Sequence, residues 1–413
     1  MLCFLDRKLY LCNQLIKNRM RNNLSEKAPL VKMAVSLMAG IVIAKYVVVP
    51  FPLYPLLAVL VLIAFCLWRY AQFQSAVITL CFVALGAVLM QRAQHESLEV
   101  SRLDRSKTYF LAQRAKLLDR LSETGVDGSV YAVVAAMSLG DKSQLTKDLK
   151  ETYAVTGASH VLALSGLHLG IIYTLLSLLL NRRRWQVVSQ VVIIVCIWLF
   201  VFLVGMSASV VRSAVMLTVY ALLSLGHRDK MSVNTLAFAA IVMLLFNPRS
   251  LFDIGFQLSF MAVLAILLFY PLFERVWSQS FLLDHRLFKW VWTMVAISCA
   301  AQIGVAPLIA YYFGRFSNYF LLTNFIVVPA ATLILYLSLV VLLIPAFAYL
   351  LIYIVDSLNL LLLWMASLPE ASIEGLHPTL LQMSMVYVII GAVYLLLTRR
   401  TSPKGGWSTS SKG

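Results

Sequence analysis

Two histidines and a serine stand at the head of a long apolar run. The segment GASHVLALSGLHLG extends from Gly157 to Gly170 and carries His160, Ser165 and His168, and the apolar run continues to Leu180. Imidazole rings and hydroxyls form hydrogen bonds, and each such group costs kilocalories to bury in lipid. Polar groups in such a run are retained where a substrate passes or where helices bond to one another. This segment is therefore the first candidate functional site.

The spacing within this segment leaves three interpretations open. His160 and His168 would lie about 80° apart around an ideal helix, but Ser165 and Gly166 between them predict a broken helix that exposes backbone groups to a cavity, as in transporters. Alternatively, the histidines bond neighbouring helices and the glycines permit close packing. A hydrolase that uses Ser165 with His168 is the third reading, although no orienting acid is visible in the sequence.

Other polar residues stand within or beside apolar runs. Arg212 lies about one turn inside a run that begins near Ala208, so its guanidinium either reaches back to the membrane boundary or faces a wet cavity that suits phosphate. Asp253 and Gln257 are one helical turn apart at the entrance to another run. Asp253 could equally cap a helix that starts at Ile254.

Two uncharged polar residues complete the candidate set. Gln302 and Asn324 lie in runs that also contain Pro307 and Pro329. The six cysteines show no paired spacing and the six histidines form no metal-binding cluster, so neither a disulfide framework nor a zinc site is predicted. We expect no metal and no cofactor.

Composition indicates which elements hold these residues. The chain is 61% hydrophobic with a mean hydropathy of +0.86 and only 13% charged residues, which excludes a water-soluble domain of 413 residues. About twelve apolar stretches are long enough to cross a hydrocarbon core of about 30 Å. The predicted fold is all-α, a polytopic transmembrane helical bundle of about 12 spans with at least one broken helix.

Loop charges predict the orientation. With the N-terminus inside, the predicted inner segments hold twenty lysines and arginines, whereas the short outer loops and span ends hold only Lys45, Arg249 and Arg315. Basic residues are retained on the cytoplasmic side of short loops. Both termini are therefore predicted to be cytoplasmic, and much of the net charge of +16 reports topology.

Two motifs carry a resemblance to a known family. His160, Ser165, Gly166, Leu167 and His168 stand in the glycine, histidine and hydrophobic-serine-glycine-leucine-histidine pattern of the ComEC competence family. NPRSLFDIGFQLSF is similar to that family's asparagine-proline, phenylalanine-aspartate and phenylalanine-glutamine-leucine-serine-phenylalanine signature. The chain resembles the membrane domain of this family from approximately Gly128 to Leu397.

The resemblance implies a function and a domain organisation. It implies an inner-membrane channel for uptake of single-stranded DNA during bacterial transformation, with the polar residues named above as channel-lining contacts. The expected domains are residues 1–93, a basic arm with three transmembrane helices; 94–156, a short outer helical segment; 157–398, the channel domain; and 399–413, a cytoplasmic tail. Within the outer segment, one helix should end near Gly140 and the next should be capped around Ser143.

The chain also departs from the family pattern. Family members often have proline where Ala208 stands and alanine where Ser213 stands, which puts the entry angle of the Arg212 helix in doubt. Many members carry an outer oligonucleotide-binding domain and a terminal metallo-β-lactamase-like domain. The outer segment of this chain looks too short and too helical to form the first of these domains, and the six histidines show no HxHxDH cluster as the second would require. We therefore expect a channel-domain-only member that is not an enzyme.

Partners follow from the same resemblance. Inward movement of phosphate against a negative interior is opposed by roughly 2.3 kcal/mol per charge per 100 mV, and no GxxxxGK[ST] phosphate loop occurs. The expected partners are single-stranded DNA, the lipid bilayer, a cytoplasmic helicase or strand-binding protein and outer DNA-receptor proteins; a homo-oligomer is also compatible. On physics alone, a secondary transporter of a small solute or lipid fits equally well.

Overall fold

The computed structural model describes residues 29–47, 54–66, 71–95, 103–180, 185–225 and 233–400. These residues are almost entirely helical, which confirms the predicted all-α class. The helices are α1 Pro29–Tyr46, α2 Tyr54–Cys66, α3 Ala71–His95, α4 Leu103–Glu123, α5 Gly128–Val134, α6 Lys147–Val155, α7 Ser159–Leu162, α8 Gly166–Leu180, α9 Gln186–Leu203, α10 Ala208–Leu225, α11 Val233–Phe246, α12 Ile254–Glu274, α13 Gln279–Asp284, α14 Arg286–Phe313, α15 Phe320–Val341, α16 Ala348–Ala366 and α17 Leu380–Arg400.

Shorter elements connect some of these helices. Two 3₁₀ turns cover Pro248–Phe252 and Pro345–Phe347, and a π-helical turn, Ala135–Leu139, continues α5. The strands β1 Arg315–Ser317 and β2 Ser372–Glu374 form an antiparallel pair in which Phe316 lies opposite Ile373.

Within the described residues, eight helices are long and apolar enough to cross a membrane by length and composition: α1, most of α3, α9, α12, α14, α15, α16 with its preceding 3₁₀ turn, and α17. The chain is therefore a multi-pass membrane protein. Four other predicted spans correspond to shorter apolar helices in α2, α8, α10 and α11. With 15 residues, α8 is about 22 Å long and is too short to cross a core of about 30 Å alone, so the count of twelve is not confirmed.

The chain divides into two compact units. The first contains residues up to Ser101 together with Val215–Asp253. Here α1 and α3 approach closely enough that a Cβ atom at Gly40 would lie 1.9 Å from the Val83 carbonyl oxygen, and one at Gly86 would lie 2.2 Å from the Leu37 carbonyl oxygen. Glycine at both positions therefore permits backbone-to-backbone packing, as small residues do between membrane helices.

The second unit comprises Arg102–Ala214 and Ile254–Gly413. One core cluster of this unit joins α5 and the π-helical turn to α15 and α16. Val133, Val134 and Met137 are completely buried in it. The predicted helix end near Gly140 is confirmed, because Gly140 caps the π-helical turn in the left-handed conformation at a φ of 74°.

Two further helices, α4 and α6, pack against the helices of this unit. Phe110 of α4 stacks on Phe202 of α9 at a ring separation of 5.4 Å, so α4 packs on the bundle. The buried Tyr153 hydroxyl of α6 donates to the Asn359 side-chain oxygen of α16 at 2.8 Å, and burial raises the pKa of this hydroxyl. The predicted cap around Ser143 is wrong: Thr146 caps α6 by accepting from the Leu149 N–H.

Candidate functional site

The segment from Gly157 to His160 begins at a tight turn. Gly157 adopts a φ of +82°, and a Cβ atom there would lie 3.0 Å from the Cβ of Ser317. Glycine is needed here for both the left-handed backbone and the close approach. Nδ1 of His160 lies 3.0 Å from the Gly157 carbonyl oxygen, and the His160 ring is exposed.

The predicted break in the helix is present. The single turn of α7 ends at Leu162, Ala163 is extended with a ψ of 126°, and α8 begins at Gly166. Because the helix stops and restarts, His160 and His168 do not share one helical face.

His168 caps the start of α8. The backbone N–H of Ser165 donates to Nδ1 of His168 at 3.3 Å, and Oγ of Ser165 lies 3.2 Å from the same nitrogen. A side chain at the third helical position that accepts from the N-cap N–H is the arrangement of a capping box, with histidine in the place of glutamate. His168 is completely buried, and its bond to the Ser165 N–H makes it a capping residue.

The same hydrogen bond defines the protonation of the ring. A nitrogen that accepts from a backbone N–H carries no proton, so in the neutral ring the proton is on Nε2. In the described part of the chain, this buried Nε2 has no hydrogen-bond partner. A catalytic histidine is oriented by an acid on the ring nitrogen that does not face the serine, and no described residue supplies such an acid.

Gly166 brings α8 against the Arg212 helix. A Cβ atom at Gly166 would lie 2.9 Å from Oγ of Ser213, which donates to the Ser209 carbonyl at 3.0 Å. Arg212, the neighbour of Ser213, is only 2% exposed. Protein therefore encloses most of this side chain, and its place relative to the membrane boundary stays a prediction.

The remaining predicted residues are spread more widely. Gln257 of α12 accepts from the Tyr312 hydroxyl at 2.7 Å. Gln302 is half-buried on α14, and Asn324 lies on α15 with a buried side-chain oxygen that has no partner among the described residues. Asp253 belongs to the other compact unit, is exposed and immediately precedes α12 with extended backbone.

The predicted site residues therefore fall into two groups, those at the helix break and those on other helices. The structure brings together His160, Ser165, Gly166 and His168, with Arg212 beside the Ser213 contact. Asn324 is one helical turn from Phe320, whose Cβ is 3.7 Å from a Cβ position at Gly157. Gln257 and Gln302 lie on other helices, α12 and α14.

Two serines that shape this region were not among the site residues predicted from the sequence. Ser213 meets Gly166, and Ser317 of β1 meets Gly157. Ser213 could have been found from its position next to Arg212, whereas the contact of Ser317 joins distant parts of the chain and has no local signal. Within the described residues, no group of three or more His, Cys, Asp or Glu side chains could hold a metal ion.

Comparison with known proteins gives a family. The family model described as Competence protein matches residues 137–400, more than half of the chain. ComE operon protein 3 of Bacillus subtilis is 31% identical over 205 residues, which cover 48% of this chain and 24% of that protein. An uncharacterized protein of Aquifex aeolicus is 32% identical over 197 residues, which cover 48% of this chain and 44% of that protein.

The matched part of the chain thus spans less than half the length of either relative. No solved structure matches.

Proposed function

Because this chain belongs to the competence protein family, we propose that it is the channel through which single-stranded DNA crosses the bacterial inner membrane during natural transformation. In this proposal the chain has no motor and no nuclease of its own and is not an enzyme, and both termini are cytoplasmic. Gln257, Gln302, Asn324 and Asp253 remain proposed contacts along the path.

The observation that carries the proposal is the broken helix between α7 and α8. Exposed His160 and exposed Gly166 lie at the break of an otherwise apolar segment. The amides at the start of a helix and its dipole attract anions. Sparse donors of this kind suit a phosphate backbone, since contacts that carry no sequence information guide any strand and tight binding would stall its movement.

A partner must supply the driving force. Each phosphate that moves toward a negative interior is opposed by roughly 2.3 kcal/mol per full charge per 100 mV. We propose that a cytoplasmic helicase or strand-binding protein pulls the strand, after outer DNA-receptor proteins deliver it. Inward movement of single strands against an imposed potential in liposomes that contain only this protein would refute the need for such a partner.

Deletion of the gene tests the proposed function. We expect the deletion strain to bind labelled DNA at its surface but to lose internalised label and transformants, and a plasmid copy to restore both. Normal internalisation of label without the gene would refute the proposal.

One observation favours a second candidate, a secondary transporter of a small solute or lipid. A pocket of about 540 Å³ is lined mainly by apolar residues, including Pro307 of α14, Phe316 of β1 and Met383 of α17. Its lining includes none of the residues at the helix break. A transporter would be indicated if deletion left DNA internalisation intact but abolished uptake of an apolar solute.

A further inference from the structure

The connection that follows α12 and the first two turns of α14, together residues 275–292, contain a cluster of aromatic rings. The Trp277 ring stacks on Phe281 at 5.5 Å and meets the edge of Phe288 at 5.1 Å. Phe281 stacks on the His285 imidazole at 4.5 Å, and Phe288 lies parallel to Trp292 at 6.5 Å. Such ring pairs contribute about 0.5–1.5 kcal/mol each beyond burial of their area, so the connection is a packed unit.

Hydrogen bonds fix this unit to the ends of the two long helices. Nε1 of Trp292 donates to the Phe273 carbonyl of α12 at 3.2 Å. The Ser278 hydroxyl caps α13 by accepting from the Phe281 N–H at 3.3 Å. The unit therefore stays at the level where α12 ends and α14 begins.

Apolar and basic side chains are exposed along the same segment. Val276 is 63% exposed, Leu287 76% and Trp290 48%. Arg286 and Lys289 are exposed beside them. Leu287 and Trp290 are three residues apart in α14 and therefore lie on one face of that helix.

Helix length sets the depth of this surface. α14 has 28 residues and is therefore about 42 Å long, whereas a core of about 30 Å takes up roughly 20 residues. Arg286 and Lys289 are in its first four residues, and no further charge follows before Arg315. The first turns of α14 are therefore the part that extends beyond the hydrocarbon, into the headgroup layer.

We propose that residues 275–292 form an interfacial anchor whose partner is a lipid surface with anionic headgroups. Val276, Leu287 and Trp290 insert between lipids, and Arg286 and Lys289 bind headgroup phosphates. Tryptophan is favoured at this depth, and amphipathic segments bind there through apolar burial plus attraction to anionic lipid. The exposed carboxylate of Asp284 offsets one positive charge of this segment. Insertion of the apolar side chains therefore supplies most of the binding, and Arg286 and Lys289 provide the preference for anionic headgroups.

A strand of nucleic acid is another polyanion that aromatic and basic groups can hold. The two exposed aliphatic side chains favour lipid, because they offer a base no stacking face.

Fluorescence quenching tests the insertion. The full chain is placed in lipid nanodiscs, and the Trp290 contribution is taken as the difference between the wild type and Trp290→Phe. We expect bromines near the headgroup end of the acyl chain to quench this contribution more than aqueous acrylamide does. Stronger quenching by acrylamide would overturn the proposal, as would loss of the bromine effect on addition of a single-stranded oligonucleotide.

The preference of the protein for anionic lipid tests the role of Arg286 and Lys289. Nanodiscs that mix phosphatidylcholine and phosphatidylglycerol are used to measure the preference of the protein for the anionic lipid. We expect Arg286→Gln with Lys289→Gln to weaken this preference about fivefold per residue, which corresponds to about 1 kcal/mol per basic side chain near a membrane surface. Lys147→Gln with Lys150→Gln, exposed residues of α6, is the matched control. An equal effect of the two pairs would overturn the headgroup assignment.

Discussion

The backbone N–H of Ser165 donates a hydrogen bond to Nδ1 of His168 at 3.3 Å, across the point where α8 begins. This bond explains why a histidine is tolerated in a completely buried position. The ring satisfies an amide that the interrupted helix leaves without a partner. His168 therefore positions the break.

The capping role predicts different results for two substitutions of His168. His168→Ala leaves the Ser165 N–H unsatisfied and should lower the free energy of unfolding by about 1–3 kcal/mol, with a severalfold loss of DNA uptake. His168→Gln keeps an acceptor near the same place and should retain most of both. Thermal unfolding of the purified protein and counts of transformants measure the two effects. Equal loss of uptake in both variants, with normal stability, would instead indicate direct contact with DNA.

Close packing at Gly166 predicts a second-site rescue. Gly166→Ala sets a Cβ atom 2.9 Å from Oγ of Ser213, a distance at which overpacking typically costs about 1–3 kcal/mol. Ser213→Ala removes that oxygen, so the double variant should regain part of the lost stability and uptake. A double-mutant cycle measures the coupling. Additive effects would show that the two residues do not meet.

His160 is exposed, and this predicts a functional effect that exceeds the structural one. His160→Ala removes one hydrogen bond, from Nδ1 to the Gly157 carbonyl, and should lower the free energy of unfolding by no more than about 1.5 kcal/mol. Uptake of labelled DNA should nevertheless fall severalfold, since an exposed polar side chain at the break is lost. Membrane abundance by immunoblot is the control. Unchanged uptake would remove His160 from the proposed path.

Arg212 should behave in the opposite way. Its side chain is 2% exposed, and replacing a large buried side chain with alanine typically costs about 2–5 kcal/mol. Arg212→Ala should therefore lower the abundance and thermal stability of the protein together with uptake. Wild-type stability with lost uptake would mean that Arg212 lines an open path.

The contact between α1 and α3 predicts a purely structural effect. A Cβ atom at Gly40 would lie 1.9 Å from a backbone oxygen, whereas one at Gly391 of α17 would meet nothing within 4 Å. Gly40→Ala should lower the unfolding temperature. Gly391→Ala, also within a helix, should leave it unchanged or raise stability by about 0.5–1 kcal/mol. Similar unfolding temperatures for the two variants would contradict the packing of α1 on α3.

Local chemistry was sufficient for several parts of the fold. The membrane class follows from hydropathy, and the ends of most long helices follow where the apolar runs end. The break before Gly166 was predictable because serine and glycine weaken a helix locally. The end of α5 near Gly140 was predictable because glycine adopts the left-handed backbone that ends a helix.

Burial at single polar residues was not predictable in this way. Periodicity cannot say whether Arg212 meets lipid, water or protein, because that depends on which helices pack around it. The N-cap of α6 is Thr146 and not Ser143, because Ser143 bonds Asp141 instead. Serine and threonine are both suitable N-cap residues, so the sequence alone could not decide between them. The domain limits at residues 93, 156 and 398 stay a prediction.

By itself, the sequence determined that this chain is a helical membrane protein with polar residues concentrated at one interrupted apolar run, since hydropathy and backbone preference act over a few neighbouring residues. Only the tertiary structure decided that His168 caps α8, that Arg212 is enclosed and that His160 is exposed. These outcomes depend on contacts between residues far apart in the chain, such as Gly166 with Ser213 and Gly157 with Ser317, which no local pattern records.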